Sequence, residues 1–557
     1  MMKSIIKYTL WGIGFAVILI LLLTFSLNFI VNEKLEDIIN YEKADRLYDY
    51  TFSDVNLNIL SGNLEINGAY ITPIKETVDS LNLIGDPKRI IFDGSLNSIK
   101  IIHLDIVELL FNQKVIIDSL LIINPKINIH INTSIKEKYQ QEFTKDLISN
   151  SIHYGEIKHI GLKNATLKWV GKDNDSSLYF ACDSVFTVIK NLHTIGSNNK
   201  IDSVVFSELL FKGKQFKVNT IKDFSLSAQE IDYCYSDNLL ELKSIQLKNI
   251  LNKKAFTENQ IHEMEWLKIN IKSVSLSSTN TIHWSTTGEI YVNKISIQEP
   301  SVLVYKDKRL KDPPFMEKKL PSYNIRRIPI PLLIDTIEVH NGTVTYQEIV
   351  EDGETPGEVS FTHFDVKAYH LSNIESVLKT NDLFSVAISA KFLGITPTEA
   401  HVTFHLNDST DSFRATGTIN NIDVTILNKT LVNMVFIEFQ KGYVHSLSYD
   451  FTATNESANG VLDMHCTDLH IALLDTNELF QHHLHKNKPI EGLIANMVLK
   501  KNNIPNTKHY VQGNIHLMRP KNKGVPNYFW NALKSGLIST VVDPTLYSLI
   551  KKKHPKK

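Results

Sequence analysis

Residues 117–129 read Ile117-Asp-Ser-Leu120-Leu-Ile122-Ile-Asn-Pro125-Lys-Ile127-Asn-Ile129, and their pattern decides the fold. Apolar side chains fall at positions one, four, six, eleven and thirteen, with a small or cyclic residue at nine. Three further stretches repeat it: Ile157-Lys-His-Ile160-Gly-Leu162-Lys-Asn-Ala165-Thr-Leu167-Lys-Trp169, Val292-Asn-Lys-Ile295-Ser-Ile297-Gln-Glu-Pro300-Ser-Val302-Leu-Val304 and Ile334-Asp-Thr-Ile337-Glu-Val339-His-Asn-Gly342-Thr-Val344-Thr-Tyr346. Partial copies begin at Ile201, Ile221, Leu242 and Ile271. Alternation within each half marks a strand with one apolar and one wet face. Each copy therefore reads as two short strands joined by a turn or kink at Pro, Ala or Gly, with the offset between positions one and four suiting a bulge. Spacing between copies is irregular, so the chain is not a strict solenoid. One supersecondary unit is used repeatedly, each handing an apolar face to its neighbour.

Working outward, Val55, Leu57 and Ile59 alternate with polar residues, as do Leu64 and Ile66. Short helices are expected at 104–112, 134–151 and 490–499. The stretch 306–327 (KDKRLKDPPFMEKKLPSYNIRR) is basic, Pro-containing and aperiodic, and reads as a linker or long loop. In 527–540 (NYFWNALKSGLIST), Tyr528, Phe529, Trp530, Leu533, Leu537 and Ile538 cover one broad side of a helix, ahead of a KKKHPKK tail.

No charged residue occurs from 8 to 32, and 15–23 reads FAVILILLL. As a helix that stretch spans roughly 37 Å, enough for a hydrocarbon core of about 30 Å. Lys3 and Lys7 precede it while Glu33, Glu36 and Asp37 follow, which places the N-terminus in the cytoplasm and the bulk of the chain across the membrane. Its length and the lack of an A-x-A-like site favour an uncleaved signal anchor over a cleaved signal peptide. Residues 33–50 continue with helical spacing. The expected organisation is a cytoplasmic tip and anchor (1–32), a juxtamembrane helix (33–50), an N-terminal repetitive β region (51–305), a basic linker (306–328), a C-terminal β region (329–520), and an amphipathic helix with a basic tail (521–557).

The 557 residues carry 59 Lys+Arg against 60 Asp+Glu, a net charge of 59 − 60 = −1. That balance gives no electrostatic reason to expect a nucleic-acid partner. Apolar residues at 43% exclude wholesale disorder, and three cysteines (Cys182, Cys234, Cys466) exclude a disulfide scaffold.

Signals of catalysis are weak. His262-Glu263-Met264-Glu265-Trp266 opens like a zincin helix, but Trp266 replaces the second His. Asp173-Asn-Asp175 opens like a calcium loop without its Gly or closing Glu. His482, His483 and His485 form the best metal candidate, yet no Cys or carboxylate lies close, and a solvated loop is the simpler reading. No phosphate loop, nucleophile elbow or dinucleotide-binding glycine run occurs. The expectation is a non-enzyme without cofactor or metal.

With these pieces assembled, the sequence resembles the AsmA-like superfamily of bacterial envelope proteins, the group that includes TamB- and YhdP-type chains. Residues 52–71 (FSDVNLNILSGNLEINGAYI) look like the family's opening strands, and 115–131 like its recurrent strand element. Residues 441–474 resemble its C-terminal module, though His465 and Cys466 depart from the usual aromatic. Residues 513–540, with Arg519-Pro520 and the Trp530-containing segment, resemble its closing part. The resemblance implies a mainly β fold: an N-terminal transmembrane helix, then an elongated, curved, repetitive antiparallel β-sheet, a β-groove with an apolar inner face. It also implies a role in lipid transport or outer-membrane biogenesis.

The physical reading meets the resemblance at one point. About 20–25 strands at ~4.8 Å each make a sheet whose apolar face the few short helices cannot cover. Acyl chains would fill it, each buried methylene contributing about 0.8 kcal/mol. Leu120, Ile122, Ile127, Ile129, Ile295, Ile297, Val302, Val304, Ile337, Val339 and Val344 are the groove candidates; a closed sandwich core is the alternative for each. Tyr528, Phe529, Trp530, Lys551, Lys552 and Lys553 are candidates for membrane contact. The expected protein is anchored in the bacterial inner membrane, lies chiefly in the periplasm, and holds or conducts membrane lipid, with phospholipid and an envelope protein as partners. The alternative is a structural or assembly factor for outer-membrane proteins acting at strand edges.

Overall fold

Position eight of each of the four full copies adopts the same rare backbone conformation: Asn124, Asn164, Glu299 and Asn341 have φ of 51°, 53°, 48° and 52°. The left-handed region is costly for most L-residues and easiest for Asn, which fills it in three of the four copies. The structure, a computed structural model, describes residues 48–58, 61–76, 78–79, 90–112, 114–131, 154–171, 179–197, 200–221, 224–278, 288–474 and 499–542. The expected anchor (8–32) lies outside them; among the described residues no helix is long and apolar enough to cross a membrane. The chain divides into two compact units, Met1–Ile245 and Gln246–Lys557, so the basic stretch 306–328 falls inside the second.

The first unit contains β1 (Tyr48–Thr51), β2 (Asp54–Asn58), β3 (Asn63–Pro73), β4 (Ile90–Leu104), α1 (Ile106–Asn112), β5 (Lys114–Ile123), β6 (Lys126–Ile131), β7 (Tyr154–Gly171), β8 (Tyr179–Ser197), β9 (Lys200–Val205), β10 (Glu208–Ile221) and β11 (Phe224–Cys234). The strand β12 (Leu239–Asn249) spans the division. The second unit continues with α2 (Lys253–Glu258), β13 (Glu265–Ser277), β14 (Ile290–Gln298), β15 (Ser301–Asp307), α3 (Pro321–Arg326), β16 (Leu332–Ile349), β17 (Gly357–Ser372), α4 (Glu375–Thr380), β18 (Leu383–Phe392), β19 (Thr396–His405), β20 (Phe413–Asp423), a 3₁₀ turn (Val424–Leu427), α5 (Asn428–Val435), β21 (Ile437–Ala453), β22 (Ser457–Leu473), β23 (Gly513–Met518) and α6 (Val525–Val541). The expected helix at 33–50 ends differently: residues 48–50 belong to β1, because they pair with β3 from Tyr48↔Pro73 to Thr51↔Tyr70.

The motif is a kinked strand, not a hairpin. Both β5 and β6 pair antiparallel with β4 and parallel with β7, so they are collinear halves of one strand broken at Asn124-Pro125. The second unit repeats the arrangement: β14 and β15 pair antiparallel with β13 and parallel with β16. Even the bonds around the kinks correspond. Asn124 N–H donates to Lys163 O (2.9 Å) and Thr166 N–H to Pro125 O (2.8 Å); Glu299 N–H donates to His340 O (2.8 Å) and Thr343 N–H to Pro300 O (2.7 Å). The residue at position nine is small or cyclic because the neighbouring strand comes close. A Cβ on Gly342 would sit 3.1 Å from Phe364 O. At the one-to-four offset the left-handed residues instead sit on neighbouring strands, as at His103 (φ 54°), whose Nδ1 lies 3.0 Å from Asp118 Oδ2. The other strand pairings whose register is described are antiparallel.

Parallel pairing of successive strands requires a crossover, and 308–331 supplies it between β15 and β16. Far from a free linker, this strap is tied along its length. Glu263 N–H donates to Lys311 O (2.8 Å), Lys318 N–H to Lys521 O (2.8 Å), and Asn373 Nδ2 to Ile328 O and Ile330 O (2.9 Å each). Arg326 donates to Leu406 O (2.8 Å), Asp408 O (3.2 Å) and Asp411 Oδ1 (2.5 Å). Leu320 and Ile325 are buried in the second unit's core. A charge-rich, aperiodic sequence hid these two anchors.

Candidate functional site

Strand register assembles the apolar positions into rows. In the first unit one row runs Leu64–Ile101–Leu120–Ile160–Ile189–Leu209 and the next Ile66–Ile99–Ile122–Leu162–Thr187–Phe211. Every member is buried, in one cluster to which α1 adds Leu109. The groove candidates Leu120 (0% exposed) and Ile122 (4%) are thus core residues of this unit, not the lining of an open furrow. Rows of mostly large aliphatic side chains from six strands pack into this core. Beyond the kink, Ile129 is buried with Phe92 and Trp169, and Ile127 is half-buried beside them.

The second unit arranges the same rows differently. One runs Leu276–Ile295–Ile337–Ala368–Val386–Val402–Ala415–Phe451–Gly460–Ile515, and its neighbour Val274–Ile297–Val339–Val366–Ile388–Ala400–Gly417–Tyr449–Leu462–Gly513. Above the kinks, Ile269–Val302–Val344–Phe361–Phe392 and Leu267–Val304–Tyr346–Val359 extend the surface. At the β20–β23 end the rows are covered: Ala415, Phe451, Leu462 and Ile515 are buried with Tyr528 and Ala532 of α6. At the β13–β18 end Ile295, Ile297, Val302, Val304, Ile337, Val339 and Val344 are only half-buried, no better sheltered than the polar face behind them. That opposite face carries ion pairs, with Lys294 2.8 Å and His340 3.0 Å from Glu338.

The helix α6 sets the limit of the covered part. Its buried stripe is Tyr528, Ala532, Gly536 and Thr540, mostly small residues four apart, which lets the helix lie close on the sheet. A Cβ on Gly536 would sit 2.8 Å from Ile515 Cγ1 and 2.9 Å from Leu462 Cβ. Tyr528 stacks edge-on to Phe413 (6.3 Å between ring centres) and its hydroxyl donates to Thr454 O (3.2 Å). Burial pushes that phenol up to about 12 and does the same to Tyr449. Of the residues expected to touch a membrane, Tyr528 is therefore a core anchor, 1% exposed. Phe529 is half-buried against Tyr449 and Phe451, and Trp530 alone of the three points to solvent. The hydropathy of 527–540 did not reveal this, because the buried stripe is built from Ala, Gly and Thr. Lys551, Lys552 and Lys553 lie outside the described residues.

Next to the covered rows, Phe529, Leu533, Leu537 and Val541 form a second, half-buried edge of α6, as do Val366, Val386 and Val402 on the sheet. Covered core thus passes into uncovered apolar face without a polar boundary between them.

The metal and catalytic candidates find no support among the described residues. His262 hydrogen-bonds through Nδ1 to Asp312 O (3.1 Å), and no group of three or more His, Cys, Asp or Glu there is placed to hold an ion. The sites at 173–175 and 482–485 lie outside those residues. On the polar face lies a depression lined by Glu399, His401, Asp450 and Asp463, in which both aspartates are engaged. Arg414 donates two bonds to Asp450 (2.9 and 2.6 Å), and Tyr510 one to Asp463 (2.5 Å).

Fold and site together define a β-rich protein with an amphipathic, chiefly antiparallel sheet. No protein-family model matches the chain, and no curated protein does.

Proposed function

We propose that the chain holds or conducts membrane lipid, with acyl chains lying on the apolar face of the second unit between β13 and β18. The observation that carries this reading is the half-buried state of Ile295, Ile297, Ile337 and Val339 in rows that become core under α6. Seven half-buried aliphatic side chains on one face form the kind of patch that marks a binding surface. A flexible hydrocarbon fits rows of Ile and Val better than a polar ligand would, and each methylene removed from water contributes about 0.8 kcal/mol. The resemblance to AsmA-like envelope proteins and the uncharged stretch at 8–32 support a reading in which this activity belongs to the bacterial envelope, with the bulk of the chain in the periplasm and outer-membrane biogenesis as its purpose. The sealed rows of the first unit support a structural part for it.

A strand-edge role in assembling other proteins ranks second, because the edge of β23 is already occupied by α6.

Site-specific photo-crosslinking in cells tests the reading. A benzophenone side chain at Val339 or Ile297 should yield lipid adducts, whereas one at Glu338, on the opposite face, should yield none. Ile337→Asp with Ile295→Asp should abolish the Val339 adduct while leaving the far-UV β signal unchanged. Adducts equal on both faces, or absent from both, would sink the proposal.

A further inference from the structure

Four large apolar side chains stand in solvent around the strap: Ile261 (73% exposed), Met264 (50%), Phe315 (74%) and Met316 (70%). They belong to one corner of the second unit. His262 bridges Lys311, and its ring reaches Asp312 O, so Ile261 and Met264 flank the start of the strap. Phe315 and Met316 lie between two tie points. On one side Asp312 is 3.9 Å from Lys523, and on the other Lys318 N–H donates to Lys521 O. Pro313 and Pro314 stiffen the few residues between. The two side chains are therefore presented by a held backbone.

The charge at this corner is lopsided in a chain that is otherwise balanced. Residues 308–319 (KRLKDPPFMEKK) contain five basic and two acidic residues. Lys311 and Lys318, both exposed, have no acidic partner among the described residues. Lys521 and Lys523 lie beside them, paired with Glu456 (2.6 Å) and Asp312 (3.9 Å).

We propose that this corner is a docking surface for an anionic lipid bilayer, with Phe315 and Met316 entering the boundary between headgroups and acyl chains. An aromatic and a thioether side chain flanked by the two unpaired lysines, Lys311 and Lys318, suit that interface: the wedge gains from leaving water while the cations meet lipid phosphates. A protein groove that took the same wedge would need its own acidic rim, and the charge alone does not favour that over a phosphate surface. This proposal goes beyond the acyl-binding reading.

The test uses the full chain with Cys234→Ser and Met316→Cys, the new thiol carrying a nitroxide. It is reconstituted in vesicles of phosphatidylcholine containing phosphatidylglycerol, or of phosphatidylcholine alone. Collision with oxygen and with a water-soluble nickel chelate reports immersion. In the anionic vesicles the label should favour oxygen by several-fold over its value in neutral ones. Lys311→Glu with Lys318→Glu should return it to the neutral-vesicle value, with the circular dichroism unchanged. A water-like label in both compositions overturns the proposal and turns the patch over to a protein partner. Equal immersion in both, indifferent to charge reversal, overturns it too. Lipid adducts at Val339 should persist in the charge-reversed variant, so the two proposals fail separately.

Discussion

Asn164 Nδ2 donates to Asn124 Oδ1 across 2.9 Å, and both asparagines hold left-handed backbone on adjacent strands. The kinks of β6 and β7 are thereby locked at the same height. A β-branched residue cannot take this conformation cheaply: left-handed backbone costs an L-residue about 1–2 kcal/mol. Asn164→Ile should lower stability by about that amount plus the lost bond. Asn164→Gly, which removes the bond but not the backbone freedom, should cost less. Denaturant unfolding of the two variants checks the order, and a reversed order would mean the kink is set elsewhere.

The edge of β23 is closed by a helix in place of a strand. Asn514 N–H donates to Ser539 Oγ (2.7 Å) and His516 N–H to Ser535 Oγ (3.2 Å). Four residues of helix rise about 6 Å and two residues of strand about 6.6 Å, so serines one turn apart match alternate amides. Ser535→Ala with Ser539→Ala should leave both amides unpaired at about 1 kcal/mol each. Their hydrogen exchange should accelerate, and self-association should rise as the edge becomes available for pairing. Unchanged exchange at both amides would show that water or backbone serves equally well.

Much of this was legible from residue classes. Alternation placed β5 to β7 and β14 to β16 correctly, and the spacing after Leu104 gave α1. A turn or kink was legible at Pro, Ala or Gly, whereas the left-handed residue is the Asn or Glu one position earlier. Reading the motif as one bent strand needed the shared partner β4, which no local pattern shows. Parallel pairing was hidden for the same reason: register between β15 and β16 depends on a strap whose anchors, Leu320 and Arg326, sit among charges. Which apolar rows would be sealed was also beyond reach. Leu120 and Ile337 occupy the same position of the motif, yet one is core and the other half-buried, because burial depends on what curls or docks over them.

The three cysteines should separate by reactivity. Burial pushes the Cys182 thiol up to about 12 and raises that of Cys466, and both side chains are buried. Cys234 is partly exposed. Since the thiolate is the reactive form and ordinary thiols ionise near pH ~8.5, a maleimide should modify Cys234 alone in the folded chain. All three should react after denaturation. Labelling of Cys182 under native conditions would contradict its place between β7 and β10.

Acid should loosen the strap before it unfolds the sheet. Hydrogen bonds from the Ser412 and Thr410 side chains (Thr410 Oγ at 2.6 Å), helped by Thr410 N–H (2.9 Å) and Ser412 N–H (3.3 Å), hold the Asp408 carboxyl far below the ordinary 3.8. The loop they shape presents Leu406 O, Asp408 O and Asp411 to Arg326. A carboxylate whose pKa is depressed on folding adds stability above its unfolded value, and that stability drains away as pH falls below it toward the folded value. Native protein should therefore lose protection of the 318–330 amides as pH drops below about 3.8, the unfolded value. Asp408→Asn, which keeps the shape but not the charge, should flatten that dependence and expose the same amides at neutral pH. If the strap instead stays protected in acid while the hairpin between β19 and β20 opens, Leu320 and Ile325 hold it without help from Arg326.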